Sequence, residues 1–164
     1  MASVAASPAF DPRHPGFAER VRDSFARQGA MATLGATLEA VTPGYCAIAL
    51  TPRPEVSQQH GYVHAGVVAA IADTAGGYAG FSLFPADATV LTVEFKLNLL
   101  APAAGERLVA EGFVVKSGRT LTITRGEVHA EHDGARTLVA LMQQTLITLE
   151  GKPDAPAEPS PLRR

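Results

Sequence analysis

The stretch that decides the fold is VHAGVVAAIADTAGGYAGFSL, residues 63–83. Asp73 is its one charged residue, and no other Asp, Glu, Lys or Arg stands between His64 and Asp87. The run predicts a single long helix. A helix that is apolar nearly all round should be buried nearly all round. Ionised groups are rarely buried without a partner, so the rest of the chain reads as scaffold around this carboxylate.

On a helical wheel of about 100° per residue, Gly66, Ala69, Ala70, Gly76, Gly77 and Gly80 fall within about 60° of Asp73. Val67, Val68, Ile71 and Tyr78 lie on the far side and should pack into a sheet. Glycine costs a helix roughly 1 kcal/mol against alanine, so the stripe predicts close approach by a second backbone or a ligand. In one reading it is a packing contact and Asp73 makes a buried hydrogen bond. In the other, Asp73 is a base or nucleophile. At the helix start, the amides near Ala65 and Gly66 should be unpaired and reinforced by the helix dipole, a site able to polarise a carbonyl. Ala65 and Asp73 are separated by roughly 12 Å of helix. Two copies of the chain could bring them together if their glycine stripes met across a two-fold axis.

The flanking segments supply a sheet. Residues 15–28 repeat Phe17, Val21 and Phe25 at helical spacing, with Gly29 as a stop. Residues 33–41 and 45–51 read as two strands joined at Thr42-Pro43-Gly44. After a polar loop (52–63) and the central helix, residues 89–100 alternate. Leu91, Val93, Phe95, Leu97 and Leu99 share one face, and Thr92, Glu94, Lys96 and Asn98 the other. Strands over 107–116, 120–131 and 136–149 follow. No βαβ alternation appears, so the fold class is α+β, with about six antiparallel strands curled round one long helix. Residues 15–150 form one expected domain, between a flexible arm (1–14) and a disordered, proline-containing tail (151–164).

Composition narrows the function. A net charge of −2 gives no electrostatic case for nucleic acid. Asp73 and the glycines argue against membrane insertion of the apolar run. Cys46 is the sole cysteine, which fits a reducing, cytoplasmic setting, and it should pack as a small hydrophobe. His60 and His64 could form a metal pair, but no third ligand cluster is near in sequence, so no metal is expected. No Gly-x-Ser-x-Gly elbow or phosphate-binding glycine fingerprint is present, and no cofactor is expected.

Gln58-Gln59-His60-Gly61-Tyr62-Val63-His64-Ala65-Gly66, followed by Ala72-Asp73, resembles the phenylacetate-degradation-type (PaaI-like) acyl-CoA thioesterases of the hotdog-fold superfamily. Val93-Glu94-Phe95, Asn98-Leu99-Leu100-Ala101-Pro102 and Gly118-Arg119 extend the resemblance over roughly residues 30–149. It implies hydrolysis of an acyl- or aryl-acyl-CoA thioester by a homodimer or homotetramer. Asp73 would be base or nucleophile, Gln58 would position water or thioester, and the Ala65 amide would polarise the carbonyl beside Gly66. The family's His-Gly-Gly is His-Ala-Gly here, and Gly77 replaces a helix hydroxyl found in some relatives. Thr92 matches a site Ser or Thr, although strand alternation sets it opposite the apolar face. His64 would organise the loop–helix junction and, with Gly61 and Tyr62, border the substrate. Lys116 and Arg119, with Arg125 nearby, are candidate contacts for the coenzyme A phosphates. A hydratase or dehydratase acting on an acyl thioester, and a non-catalytic acyl-CoA or small-ligand binder, are the alternative readings.

Overall fold

Alternating β-branched and aromatic residues in the second half of the chain build long antiparallel strands. The computed structural model describes residues 10–152 and Asp154. Its helices are α1 (Phe17–Ala26), α2 (Gly29–Leu34) and α3 (Ala65–Phe81). Its strands are β1 (Ala36–Thr42), β2 (Tyr45–Leu50), β3 (Ala88–Leu99), β4 (Arg107–Ser117), β5 (Leu121–His132) and β6 (Ala135–Glu150). One six-stranded sheet runs β1-β2-β4-β5-β6-β3, with every neighbouring pair antiparallel. This is the expected α+β architecture, a curled sheet around one helix. The rest of the expected arm and tail lies outside the described residues. Of the described part, Phe10 packs against the core and Asp154 pairs with Arg27 at 2.5 Å.

Helix α3 lies on the sheet with Val68, Ile71, Ala72, Ala75, Tyr78, Ala79 and Phe81 buried. Each large apolar side chain among them contributes about 1.5–3 kcal/mol by burial. The approach is unusually close. A Cβ on Gly112 of β4 would stand 2.3 Å from the Ala75 carbonyl oxygen and 2.5 Å from the Gly76 nitrogen. Gly76 and Gly80 complete the contact from the helix side, where added Cβ atoms would fall 2.0 Å from Gln144 Oε1 and 2.4 Å from Leu146 Cδ1. At Gly76 and Gly80 the glycine stripe is therefore occupied by the chain's own sheet. The rest of the stripe is more open: Gly66 is exposed, Ala69 and Ala70 are half-buried, and Gly77 has no atom within 4 Å of a Cβ placed there.

Both ends of α3 are held. At the C-terminus the Arg20 guanidinium, carried by α1, donates to the carbonyls of Phe81 and Phe84 at 3.0 Å and of Pro85 at 2.5 Å. It also stacks on the Phe81 ring, 4.2 Å from its centroid. A cation there complements the helix dipole. At the N-terminus the side chain of His64 caps the first turn.

Two local expectations change. The strand read over 33–41 begins only at Ala36, because residues 29–34 turn as α2 and stop at Gly35 in a left-handed conformation (φ 71°). The Arg53 guanidinium donates to the Thr33 carbonyl at 2.8 Å and to that of Leu34. This long-range cap satisfies helix-end carbonyls that no local pattern foretells. In β3, Thr92 pairs with Leu146 and Glu94 with Thr145, leaving Val93 as a bulge. The bulge reverses the strand's facing, so the apolar alternation read from the sequence does not lie on one face. Leu91 is 57% exposed and Val93 58% exposed. Cys46 is buried as expected, and burial pushes its thiol pKa up to about 12. Among the described residues no helix is long and apolar enough to cross a membrane.

The glycine contacts predict opposite outcomes for one substitution at two positions. Gly112→Ala forces the helix off the sheet and should cost about 1–3 kcal/mol. That lowers the thermal midpoint by roughly 2–4 °C per kcal/mol. Gly77→Ala, in open space on a helix, should add up to about 1 kcal/mol of stability and so raise the midpoint slightly. Thermal unfolding of the two variants beside the parent checks both signs.

Candidate active site

Asp73 projects from the middle of α3 into a recess of about 300 Å³ lined by Gln28, Thr74, Gly77, Tyr78, Val90, Leu91 and Thr92. Its Oδ1 accepts from Thr92 Oγ1 at 2.8 Å and from Gln144 Nε2 at 2.5 Å. The lone charge of the helix is therefore partnered by neutral donors, which offsets its desolvation without a counter-ion. Thr92, itself exposed, reaches it from the strand segment before the Val93 bulge, on the face that carries buried Ala88 and half-buried Val90. Its assignment to the site agrees with this geometry, and its assignment to the face away from the core does not. Bulges re-aim side chains in this way beside active sites.

Gln144 was missing from the sequence-level candidates. It is 1% exposed. Its Oε1 accepts from Thr124 Oγ1 at 2.8 Å, and its Nε2 also donates to the Asp73 carbonyl at 3.0 Å and to Thr92 Oγ1 at 3.1 Å. A signal for it existed. Along β6 the buried period runs Ala140, Met142, Gln144, Leu146, Thr148, and a glutamine in that phase needs partners.

At the wall of the recess, Gln28 Nε2 donates to the Tyr78 hydroxyl at 2.9 Å, and that hydroxyl donates to Ser24 Oγ at 3.1 Å. Burial raises the Tyr78 pKa above the ordinary phenol value, so the hydroxyl keeps its proton.

Gln58, Gly61, Tyr62, His64, Ala65 and Gly66 gather at the N-terminal end of α3. A second recess, about 200 Å³, is lined by Gln58, Tyr62, Val63, Ala65, Val68, Leu99 and Pro102, among others. Residues 58–62 form a tight turn there. The Gln58 amide donates to the Tyr62 carbonyl at 2.8 Å and the Gly61 amide to the Gln58 carbonyl at 2.9 Å. Gly61 has φ 85°, a conformation that suits glycine. Gln58 Oε1 accepts from the His60 amide, so its Nε2 is the end left to face the recess. His64 Nδ1 accepts from the Gly66 amide at 2.9 Å. This corrects the expectation that Ala65 and Gly66 both offer free amides. Only the Ala65 N–H, first in the helix, has no acceptor among the described residues. Lys116 and Arg119 are exposed at the β4–β5 turn and line neither recess. Arg125 is engaged by Glu127 at 3.2 Å and by the Phe113 ring. His60 and His64 belong to no three-residue metal-ligating group among the described residues.

Removal of the imidazole cap tests the helix start. His64→Ala should lower stability by about 1 kcal/mol, while His64→Asn, which can still accept from an amide, should restore most of it. Chemical denaturation midpoints of the two variants decide this.

The thioesterase superfamily profile matches residues 60–136. A protein of Halobacterium salinarum that carries the name of an esterase is 33% identical over 113 residues, 65% of this chain and 74% of that one. A thioesterase family protein of Silicibacter pomeroyi is 48% identical, with a TM-score of 0.81 over 83% of this chain and 100% of that one. The PaaI protein of the Escherichia coli phenylacetic acid degradation operon is 19% identical and shares the fold, with a TM-score of 0.70 over 83% of this chain and 98% of its own. The profile's span includes Ala65, Asp73, Thr92 and Leu99, and Gln28 and Gln58 lie outside it. The chain belongs to the thioesterase superfamily and is a thioester hydrolase of the hotdog fold.

Proposed function

We propose that this protein hydrolyses acyl- or aryl-acyl-coenzyme A thioesters, with Asp73 as general base or nucleophile, at a site completed between two copies of the chain. One observation carries the reading. The carboxylate and the free Ala65 amide, with Gln58 beside it, sit in separate recesses, one beside residues 90–92 of β3 and the other at its end by Leu99. Thr92 borders one recess and Leu99 the other, and along α3 the carboxylate and the amide stand roughly 12 Å apart. No single thioester carbonyl spans that distance.

The strand itself supports a solution. β3 is the sheet edge beyond β6. It exposes Leu91, Val93, Phe95 and Leu99, with Leu100 just beyond, and an exposed apolar edge is a template for pairing. Antiparallel pairing of two β3 strands about a two-fold axis near residues 95–96 sets Thr92 of one copy opposite Leu99 of the other. The Asp73 recess of each copy then adjoins the Gln58–Ala65 recess of its mate.

In the assembled site the Ala65 N–H and the α3 dipole polarise the thioester carbonyl and stabilise its oxyanion. Gln58 Nε2 orients the thioester or the attacking water. As base, the Asp73 carboxylate takes a proton from water as the water oxygen bonds to the carbonyl carbon. Collapse expels the coenzyme A thiolate, which regains that proton. As nucleophile, the carboxylate displaces the thiolate and water opens the resulting anhydride. His64, Gly61 and Tyr62 shape the wall. Lys116 and Arg119, in no ion pair among the described residues, are assigned to the coenzyme A phosphates. A hydratase would need a His and an acid in one site, whereas His64 caps the helix.

Across a panel of aryl- and fatty-acyl-CoA thioesters, Asp73→Asn should lose about 100-fold or more in kcat. Parent-like turnover in Asp73→Asn would refute the mechanism. Co-expression of Asp73→Asn with Gln58→Ala chains then tests the sharing. Half of randomly assembled dimers are mixed, each with one intact site of two, so activity should return to about a quarter of the parent's. Co-expressed variants no more active than the separate ones would place the site within one chain.

A further inference from the structure

The hydrogen bonds around Asp73 divide its two oxygens into different roles. An ionised carboxylate only accepts, so the Gln144 amide nitrogen has to face it, and Oε1 has to face the Thr124 hydroxyl. Oδ1 thereby receives both the Gln144 N–H and the Thr92 O–H. Among the described residues, Oδ2 receives no hydrogen bond. Gln144 also donates to the carbonyl of Asp73 itself, so one buried amide grips the residue by side chain and backbone together. Room for that amide depends on Gly76, since a Cβ there would fall 2.0 Å from Oε1.

We propose that Gln144 is the positioning residue of the reaction: anchored by Thr124, it holds Asp73 by Oδ1 so that Oδ2 faces the recess as the reacting oxygen. The inference rests on the reading of Asp73 as base or nucleophile. Thr124 and Gln144 line neither recess. Their effect on turnover passes through Asp73. A carboxylate free to rotate between two equivalent oxygens spends less time aligned with the carbonyl, and small misplacements cost rate steeply.

The experiment compares kcat, KM and thermal midpoint for Gln144→Met, Thr124→Val, Thr124→Ser and Asp73→Asn on one acyl-CoA substrate. Methionine keeps the shape of glutamine and lacks the donor. Valine keeps the shape of threonine and lacks the hydroxyl that holds Oε1. Gln144→Met should lose about 10- to 100-fold in kcat, with KM within about threefold. Thr124→Val should lose less in the same direction. Thr124→Ser, which restores the donor, should return to within about twofold of the parent. Parent-like kcat in Gln144→Met and Thr124→Val, with Asp73→Asn inactive, overturns the positioning role and leaves Asp73 catalysis standing. Active Asp73→Asn fails the underlying reading instead. If Gln144→Met does not fold, the Thr124 pair decides alone: equal kcat in the valine and serine variants overturns the proposal.

Discussion

The rest of the structure depends on the contact between the backbone of α3 and that of β4 at Gly112 and Ala75–Gly76. A helix usually rests on a sheet through a layer of side chains. Here that layer is removed, so the helix needs glycine and alanine on its sheet side, and the sheet needs glycine beneath it. The same closeness has a chemical consequence. A carboxylate at the margin of the contact comes within hydrogen-bonding reach of strand side chains that would otherwise lie too far below. The short bonds from Thr92 and Gln144 to Asp73 follow from the small residues around them.

The second constraint is the bulge at Val93. It turns one strand into two half-strands with opposite facing. Before it, Thr92 points inward to the carboxylate. After it, Leu97 packs against the core and Leu99 borders the Gln58 recess. One extra residue thus lets a single edge strand border both recesses. It also leaves apolar side chains exposed along an unpaired edge, the circumstance in which a second copy gains most by pairing.

The electrostatic design is spare. Asp73 is the only charge on α3, and its partners are a hydroxyl and an amide. A salt bridge would have drawn the charge of the carboxylate into an ion pair. Two neutral donors hold it in place and leave one oxygen unoccupied by hydrogen bonds. At the far end of the helix, His64 takes the Gly66 amide and leaves that of Ala65 free, so a potential pair of donors is reduced to one.

The sequence by itself determined the large features: the buried helix from its uncharged composition, the strands from their alternation, Asp73 from being the lone charge, and Gly44 as a turn. Each is a local property, set by periodicity or by the cost of burying a charge. Gln58, Ala65, His64 and Thr92 were legible through a motif whose spacing reflects the turn and the first helical turns. The tertiary structure alone decided what fills the glycine stripe, which way Thr92 faces, where α2 ends, and that Gln144 holds Asp73. Those depend on register, on a one-residue bulge and on partners 71 and 20 positions away in the chain. A sequence window cannot contain such contacts, because they exist only once strand pairing has brought distant segments to within a hydrogen bond of each other.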